Sequence, residues 1–316
     1  MKMKMVSVLT AVAVAGTLLA GCGASAETAP AAPVAAEEST AEEPAEEAEE
    51  EVVAEVEEAA EEVVSEVGAD TQAIIDRGVL KVGVKNAVVG FGFQDTLTGE
   101  YSGLEISIAE KIAEKLGVDI EFTTVTAATR TELLDSGDID CVLATFTITD
   151  ERKESWDFTT PYFTDHVSVL VQTDSGITSL ADLKDKTVGV SSGSTSAKSL
   201  TAAMLEAGVI ESADFDPETF DAATWTEGIA YKQYDDYPAI STALSAGEVD
   251  AFCVDKSILA IYNTDDRNYI NDEFAPQDYG IATKKGSDFS AYTEACVEEW
   301  LADGTIAGFI TENNLD

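Results

Sequence analysis

The sequence from about residue 78 onward contains the same pattern twice. The segment KVGV at residues 81–84 is echoed by TVGV at 187–190, and LDSGDIDC at 134–141 is echoed by LSAGEVDA at 244–251. The two offsets, 106 and 110 residues, are nearly equal. The repeat therefore predicts two similar units that follow each other, in a body long enough for two lobes of roughly 100–150 residues each.

Each unit alternates between predicted strands and helices. The short β-branched run Val79–Val84 predicts a strand, and Leu104–Leu116 carries its apolar residues at helical spacing, with Gly117 just beyond its end. Further strands are predicted at 119–123, 139–144, Thr187–Ser191 and 249–254, and further helices at 197–207 and 238–245. This alternation indicates an α/β fold with parallel sheets, and two such lobes leave a ligand-binding cleft where their strands end.

The N-terminus has the pattern of a secretory signal. Lys2 and Lys4 precede an apolar run over residues 5–20, which is short for a helix that crosses a membrane. The run ends in LAGC at residues 19–22, which resembles a bacterial lipobox, and an ordinary cleaved signal is the alternative. We expect residues 1–22 to be a lipoprotein signal peptide, Cys22 to be lipidated, and the chain to be anchored outside the cytoplasm, on the outer face of the cell membrane.

Residues 23–68 predict a spacer. They hold sixteen Glu, no Lys or Arg and no aromatic residue, a composition that cannot form a core. Five small apolar residues between Val53 and Val67 fall at heptad spacing, but the surrounding glutamates would repel one another in a coiled coil. An acidic tether, disordered or partly helical, is therefore favoured over a coiled coil.

Composition excludes several classes of function. With a net charge of −43 and no basic stripe, the chain is not expected to bind nucleic acid. One His and four scattered Cys do not form a metal-binding pattern, and we expect neither a metal nor a cofactor. Cys141 and Cys253 fall in predicted core strands and are expected to be buried free thiols, whereas the sequence gives Cys296 no assignment.

Polar side chains follow the predicted strands of both units. They are Lys85, Thr145, Thr147, Arg152, Thr195 and Asp255. Threonine hydroxyls that open into a short helix suit a carboxylate, which an arginine can grip with two parallel hydrogen bonds, and a facing aspartate complements an ammonium group. Singly, each residue could be an ordinary cap or a solvated charge. Together they predict a site for an α-amino acid.

Two motifs carry a family resemblance. GLEISIAEKIA at 103–113 and TITDER at 147–152, which continues to WDFTTPY at 156–162, resemble the family 3 extracellular solute-binding proteins of amino-acid ABC transporters, over about residues 78–308. The resemblance implies a two-lobed, type II periplasmic-binding-protein-like fold with two hinge crossovers. Lobe 1 would comprise 69–165 and 277–316, and lobe 2 would comprise 166–276. It also implies that Arg152 binds the α-carboxylate with Thr147 and Thr195, while Asp255 binds the α-amino group.

The aspartate/glutamate-binding members resemble this chain most. The matching segments are VGVK at 82–85, AATR at 127–130 and VDAFCVDKSIL at 249–259. In that subgroup the positions of Lys85, Arg130 and Tyr237 surround the ligand side chain. The chain is therefore expected to be a monomer that captures aspartate or glutamate and delivers it to a membrane permease. A polar neutral ligand such as glutamine is the alternative, and the inserted-looking stretch 214–234 could change the pocket wall.

Other classes of function fit less well. GVSSG at 189–193 has the G-x-S-x-G form of a hydrolase, but the single histidine, His166, precedes it, opposite to the order in that class. A lyase on the same fold would need a general acid, and Asp255 already has an ammonium group to bind. An amino-acid-sensing or adhesive module is a weaker alternative. We therefore expect no enzymatic activity.

Overall fold

The computed structural model describes residues 67–316, which lie within one compact unit. Cys22, the predicted signal peptide and nearly all of the predicted tether lie outside these residues. The helices are α1 (Ala69–Arg77), α2 (Leu104–Leu116), α3 (Arg130–Ser136), α4 (Asp150–Ser155), α5 (Ser196–Glu206), α6 (Tyr237–Ser245), α7 (Lys256–Leu259), α8 (Asp288–Ala302) and α9 (Thr305–Glu312). Two 3₁₀ segments span Leu180–Leu183 and Ala260–Tyr262.

The strands form two main sheets and one small one. They are β1 (Val79–Val84), β2 (Ala87–Val88), β3 (Gly92–Gln94), β4 (Tyr101–Ser102), β5 (Asp119–Thr124), β6 (Cys141–Leu143), β7 (Trp156–Phe158), β8 (Phe163–Gln172), β9 (Thr187–Ser191), β10 (Ala230–Tyr234), β11 (Ala251–Asp255), β12 (Arg267–Tyr269), β13 (Phe274–Tyr279) and β14 (Ala282–Lys284). The first sheet has the order β5-β1-β6-β14-β7, the second has β10-β9-β11-β8-β12 with β13 also paired to β8, and β2-β3-β4 forms the third.

The repeated sequence motif occupies equivalent places in the two main sheets. Strand β1 lies between β5 and β6, and β9 lies between β10 and β11, all in parallel. Gly83 in β1 and Gly189 in β9 are at matching points of the repeat. A Cβ atom on Gly83 would lie 2.6 Å from the Ile139 side chain, and one on Gly189 would lie 2.6 Å from the Ile240 side chain, so the absence of a side chain permits both contacts. The internal repeat therefore corresponds to a structural duplication.

The chain crosses between the main sheets twice. The first crossover, residues 159–162, joins β7 to β8, and the second, residues 280–281, joins β13 to β14. The predicted lobe boundaries, 165/166 and 276/277, fall a few residues inside β8 and β13. Because the parallel strands of each sheet end towards the other lobe, residues that follow β1, β6, β9 and β11 meet in the space between the lobes.

Helix α2 shows how the first lobe is built. It begins after Gly103, whose φ of 127° and closeness to the Phe91 carbonyl exclude a side chain, and it ends at Gly117 in the left-handed conformation. Ile108 and Ile112 on its apolar face are fully buried. Glu105, at the start of the same helix, is also fully buried, at 0% exposure.

The three cysteines of residues 67–316 are not joined by disulfide bonds. Cys141, Cys253 and Cys296 are all buried free thiols, as predicted for the first two. Within residues 67–316, no cluster of His, Cys, Asp and Glu is arranged to hold a metal ion. None of the helices from α1 to α9 combines the length and the apolar character that a bilayer crossing requires.

Candidate functional site

The eight predicted site residues converge on the space between the lobes. Lys85 follows β1, Arg130 begins α3, and Thr145, Thr147 and Arg152 follow β6, all on the first lobe. Thr195 precedes α5, Tyr237 begins α6 and Asp255 ends β11, all on the second. Apart from Arg152 and Thr195, which are half-buried, they are at most 7% exposed.

Two arginines contact one aromatic ring in this cleft. The Cζ atoms of Arg130 and Arg152 lie 3.8 and 4.6 Å from the centre of the Phe146 ring. Arg130 also donates to the carbonyls of Ala144 (2.8 Å) and Thr145 (3.2 Å), which fixes its guanidinium. Stacking on Phe146 gives both cations a favourable partner that carries no negative charge.

Arg152 connects the two lobes directly. It donates from Nη1 to the Thr147 carbonyl (2.7 Å) and from Nη2 to the Gly193 carbonyl of the second lobe (3.1 Å). Its backbone N–H donates to the side chain of Thr149, which caps the short helix α4. The lobes are therefore in contact in this structure, and Arg152 lies where they meet.

Lys85 is the third cation of the cleft. Its Nζ lies 5.4 Å from the centre of the Tyr237 ring, and burial followed by repulsion from Arg130 holds its pKa well below the usual value. Burial also lowers the pKa of Arg130 to about 10, and burial with repulsion from Arg130 lowers that of Arg152 to about 9. Among residues 67–316, no acid lies within salt-bridge distance of any of the three.

Asp255, the last residue of β11, is an acid that the second lobe contributes to the cleft. It is 5% exposed, and its Oδ2 accepts a hydrogen bond from the Tyr279 hydroxyl at 2.6 Å. Burial raises the pKa of Asp255 to about 7, opposed by the Tyr279 bond and by the positive charges of Arg130 and Arg152. The carboxyl group of Asp255 is thus close to its protonation midpoint at neutral pH.

The threonines predicted to bind a carboxylate share one acceptor. The hydroxyls of Thr147 and Thr195, one from each lobe, donate to Oε1 of Gln277 at 2.8 and 2.7 Å. Gln277 comes from β13 beside the second crossover. Its amide oxygen accepts the same two donors that a ligand carboxylate oxygen would accept, so it occupies the expected position of that oxygen.

Four neighbouring residues were not predicted from the sequence. They are Glu105, Asp165, Gln277 and Tyr279. Asp165 accepts from the backbone N–H of Ser257 (3.1 Å), and its Oδ2 lies 3.3 Å from the Tyr279 hydroxyl oxygen. The only sequence signal for the pair from β13 is the alternation in PQDY at 276–279, which points Gln277 and Tyr279 to one face of a strand.

A cavity of about 370 Å³ adjoins Arg152 between the lobes. Its walls include Thr131 and Trp156 from the first lobe and Lys198 and Phe220 from the second. The Phe215, Phe220 and Trp225 rings pack together, with centres 5.5–5.8 Å apart. The stretch 214–234 is therefore a wall of this cavity, held by its own aromatic cluster.

Comparison with known proteins decides the family. The model of the bacterial extracellular solute-binding proteins, family 3, matches residues 80–312. The chain belongs to this family. The predicted family membership and the two-lobed, type II α/β fold are therefore confirmed, and the family is that of amino-acid-binding components of ABC transporters.

Individual members of the family carry different ligands. A glutamine-binding protein of Geobacillus stearothermophilus is 34% identical over 68% of this chain and 76% of its own length. The glutamate-binding protein GluB of Corynebacterium glutamicum is 29% identical over 76% of this chain and 80% of its own. A solved ancestral arginine-binding protein, bound to arginine, is 33% identical with a TM-score of 0.62, and the match covers 75% of this chain and 98% of that one.

Proposed function

We propose that this family member captures an acidic amino acid, aspartate or glutamate, in the cleft between its lobes and passes it to a membrane permease. In this proposal Arg152, Thr147 and Thr195 bind the α-carboxylate and Asp255 binds the ammonium group. Lys85, Arg130 and Tyr237 surround the ligand side chain, and Thr145 contributes its hydroxyl, which is buried and has no hydrogen-bond partner among the described residues.

The unpaired cations of the cleft carry this proposal. Lys85, Arg130 and Arg152 have no acid within salt-bridge distance among residues 67–316, although the buried acids Glu105, Asp165 and Asp255 lie nearby. A neutral zwitterion places its one carboxylate on Arg152 and leaves Arg130 and Lys85 without a directly bonded anion, whereas an acidic amino acid brings a second carboxylate to them. Burying an unpaired charge is costly, so the second carboxylate should be favoured over an amide.

A polar neutral ligand is the second candidate. The glutamine-binding relative from Geobacillus supports it, because that protein is more similar to this chain than the glutamate-binding one. Glutamine would satisfy the same α-carboxylate and ammonium contacts. It would leave the positive charge of Arg130 or Lys85 without a partner, and affinities for glutamine and glutamate therefore distinguish the two candidates.

Binding without turnover is proposed in preference to catalysis. A lyase would need a general acid at the reacting atom. The one cleft acid near neutral pKa, Asp255, is assigned to the ammonium group and is already bonded to Tyr279. The ligand should accordingly be recovered unchanged.

The segments before residue 69 suit an anchored receptor. We propose that the signal segment 1–22 is cleaved just before Cys22, so that a lipidated Cys22 becomes the mature N-terminus, and that residues 23–68 tether a monomeric two-lobed body to the outer face of the cell membrane. The lobes are proposed to comprise 69–165 with 277–316, and 166–276. Replacing Cys22 by Ala should release the protein from the membrane fraction and abolish incorporation of labelled palmitate.

Calorimetric titration of the full chain with each of the twenty amino acids tests the ligand. We expect a micromolar Kd, about −8 kcal/mol, for aspartate or glutamate. Glutamine and asparagine should bind at least about tenfold more weakly, because they lack one charge-assisted hydrogen bond. Equal affinity for glutamine would refute the acidic preference, turnover of the ligand would indicate a lyase, and no binding at all would favour an adhesive module.

A further inference from the structure

Thr145 has an unusual backbone at the centre of the site. It lies two residues beyond the end of β6 and has a φ of 45°, in the left-handed region. That region is unfavourable for a residue branched at Cβ, because Cβ approaches the following carbonyl. A conformation of this kind persists only where surrounding contacts hold it, and such residues concentrate at functional sites.

Glu105 supplies the contact that holds the amide of Thr145. Its Oε1 accepts from the Thr145 backbone N–H at 2.5 Å and from the Tyr162 hydroxyl at 2.6 Å. Its Oε2 has no hydrogen-bond partner among residues 67–316 and is fully buried. One carboxylate oxygen thus ties the start of α2 to the turn after β6 and to the first crossover.

The turn at Thr145 positions the residue that follows it. Phe146 is 1% exposed and lies against both cleft guanidinium groups, those of Arg130 and Arg152. An extended backbone at Thr145 would continue the strand direction and move the Phe146 ring away from these cations. The left-handed turn is therefore what places the ring against both guanidinium groups.

We propose that Glu105 is a positioning residue for ligand binding, which holds Thr145 in its left-handed turn and through it fixes Phe146 and the two arginines. The inference rests on the proposed function, because ligand affinity is its main readout. A different role is conceivable for the same side chain, since the Glu105 charge also acts on Lys85 and Arg130. The two roles require different properties, an acceptor atom for positioning and a negative charge for compensation.

Substitutions at Glu105 separate the acceptor from the charge. Glu105→Gln keeps an acceptor oxygen and removes the charge, whereas Glu105→Met fills similar space and removes both. Positioning predicts that the Met variant binds L-glutamate about 10- to 100-fold more weakly, the worth of a hydrogen bond to a charged group, and that the Gln variant loses less than about threefold. Equal losses in both variants would overturn the proposal in favour of charge compensation.

Substitutions at Thr145 test the turn itself. Thr145→Gly and Thr145→Ala both remove the hydroxyl, but only glycine adopts a positive φ without strain. The loss caused by Glu105→Met should therefore persist in the Thr145→Ala background and largely disappear in the Thr145→Gly background. A loss of the same size in both backgrounds would show that Glu105 does not act through the turn.

The controls keep this test independent of other failures. If wild-type protein binds no amino acid, the proposed function fails, whereas normal wild-type binding with unchanged variants refutes only the role of Glu105. Should Glu105→Met fail to fold, the melting temperatures of the single Thr145 variants decide: Thr145→Gly should melt above Thr145→Ala. The reverse order would show that the turn is not strained and would overturn the proposal.

Discussion

Tyr279 and Asp165 act in opposite directions on the pKa of Asp255, which burial raises most. The Tyr279 hydroxyl donates to Asp255 at 2.6 Å and lies 3.3 Å from Oδ2 of Asp165, and its one proton can serve only one of them at a time. Asp165 is also held by the backbone and hydroxyl of Ser257. The groups that act on Asp255 are Tyr279 from β13, Asp165 from β8, Arg130 from α3 and Arg152 from α4.

Ligand affinity should depend on pH through Asp255. Its pKa of about 7 means that below pH 7 a proton must leave before the ammonium group can bind. The Kd for glutamate should rise as the pH falls from 7.5 to 5, by up to about tenfold per pH unit, because a growing fraction of Asp255 is protonated. The ligand carboxylates stay ionised over this range, so they add nothing to the change in Kd. Titration calorimetry across this range measures the onset, which is the pH at which ligand binding begins to weaken.

Substitutions around Asp255 should move this onset in opposite directions. Tyr279→Phe removes a bond that stabilises the carboxylate, so weakening should begin at higher pH. Asp165→Asn removes a neighbouring negative charge, so weakening should begin at lower pH. Tyr162→Phe, another buried tyrosine that bonds to Glu105 instead, should leave the onset in place. Shifts of the same sign for the first two variants would contradict this account.

Asp255 should also reduce stability at neutral pH in the absence of ligand. Its pKa is about 7 in the folded protein against 3.8 for a free aspartate, so the folded state binds more protons between these values. Stability is therefore lost as the pH rises from about 4 to 7. Asp255→Asn removes this loss and should be more stable than wild type at pH 8, by about 4 kcal/mol, with little difference near pH 4. Urea unfolding at both pH values measures it, and a difference independent of pH would refute it.

Elements that depend on local pattern were predicted closely. Val79–Val84, Leu104–Leu116 and Thr187–Ser191 have the predicted bounds, because β-branched runs, helical periodicity and a glycine after the last turn act over a few residues. The predicted helix over 238–245 begins one residue earlier, at Tyr237, where the Asp236 side chain caps it by accepting from the Ala239 N–H. Such signals act within one segment of chain.

The remaining site residues depend on contacts between distant segments. Gln277 meets Thr195 and Thr147 across 82 and 130 residues, and a bridge between Thr147 and Tyr279 and the packing of α5 against β13 bring them together. Glu105 is the second residue of α2, and the helical spacing of the apolar residues explains why those residues are buried. The same spacing gives no reason to bury a carboxylate. Its burial follows from the position of the α2 N-terminus beside the turn at Thr145.

Arg130 and Arg152 should have separable roles. Arg152→Ala is expected to abolish detectable binding of every amino acid, because it removes the proposed α-carboxylate clamp. Arg130→Ala should weaken binding of aspartate and glutamate by about 10- to 100-fold and of glutamine by much less. Arg267→Ala is a matched control: Arg267 is a buried arginine that bonds to Ser241 within the second lobe. Calorimetry that shows equal losses for acids and amides in Arg130→Ala would exclude its side-chain role.

Gln277 should hold the lobes together when no ligand is bound. Its Oε1 accepts from a threonine on each lobe, and one of these two bonds crosses between the lobes, so Gln277→Ala removes one interlobe hydrogen bond from the closed form, worth about 0.5–1.5 kcal/mol. The ligand-free variant should have a larger radius of gyration than wild type in small-angle X-ray scattering, and saturating ligand should restore the wild-type value. Gln172→Ala loses an amide bond to Leu244 within the second lobe and should not open the protein.

Lys198 and Glu151 form an ion pair across the cleft mouth that should slow ligand release. Lys198 Nζ lies 2.7 Å from Glu151 Oε2 and also donates to the Pro217 carbonyl of the 214–234 stretch. With side chains 30% and 65% exposed, the pair is worth about 0.2–1 kcal/mol, so Glu151→Gln should speed dissociation by about 1.5- to 5-fold. Stopped-flow displacement at low salt measures this rate, and the difference from wild type should vanish near 1 M salt. The reversed pair, Glu151→Lys with Lys198→Glu, should return the rate towards wild type; if it dissociates as fast as the single variant, the attraction between the two charges does not hold the cleft closed.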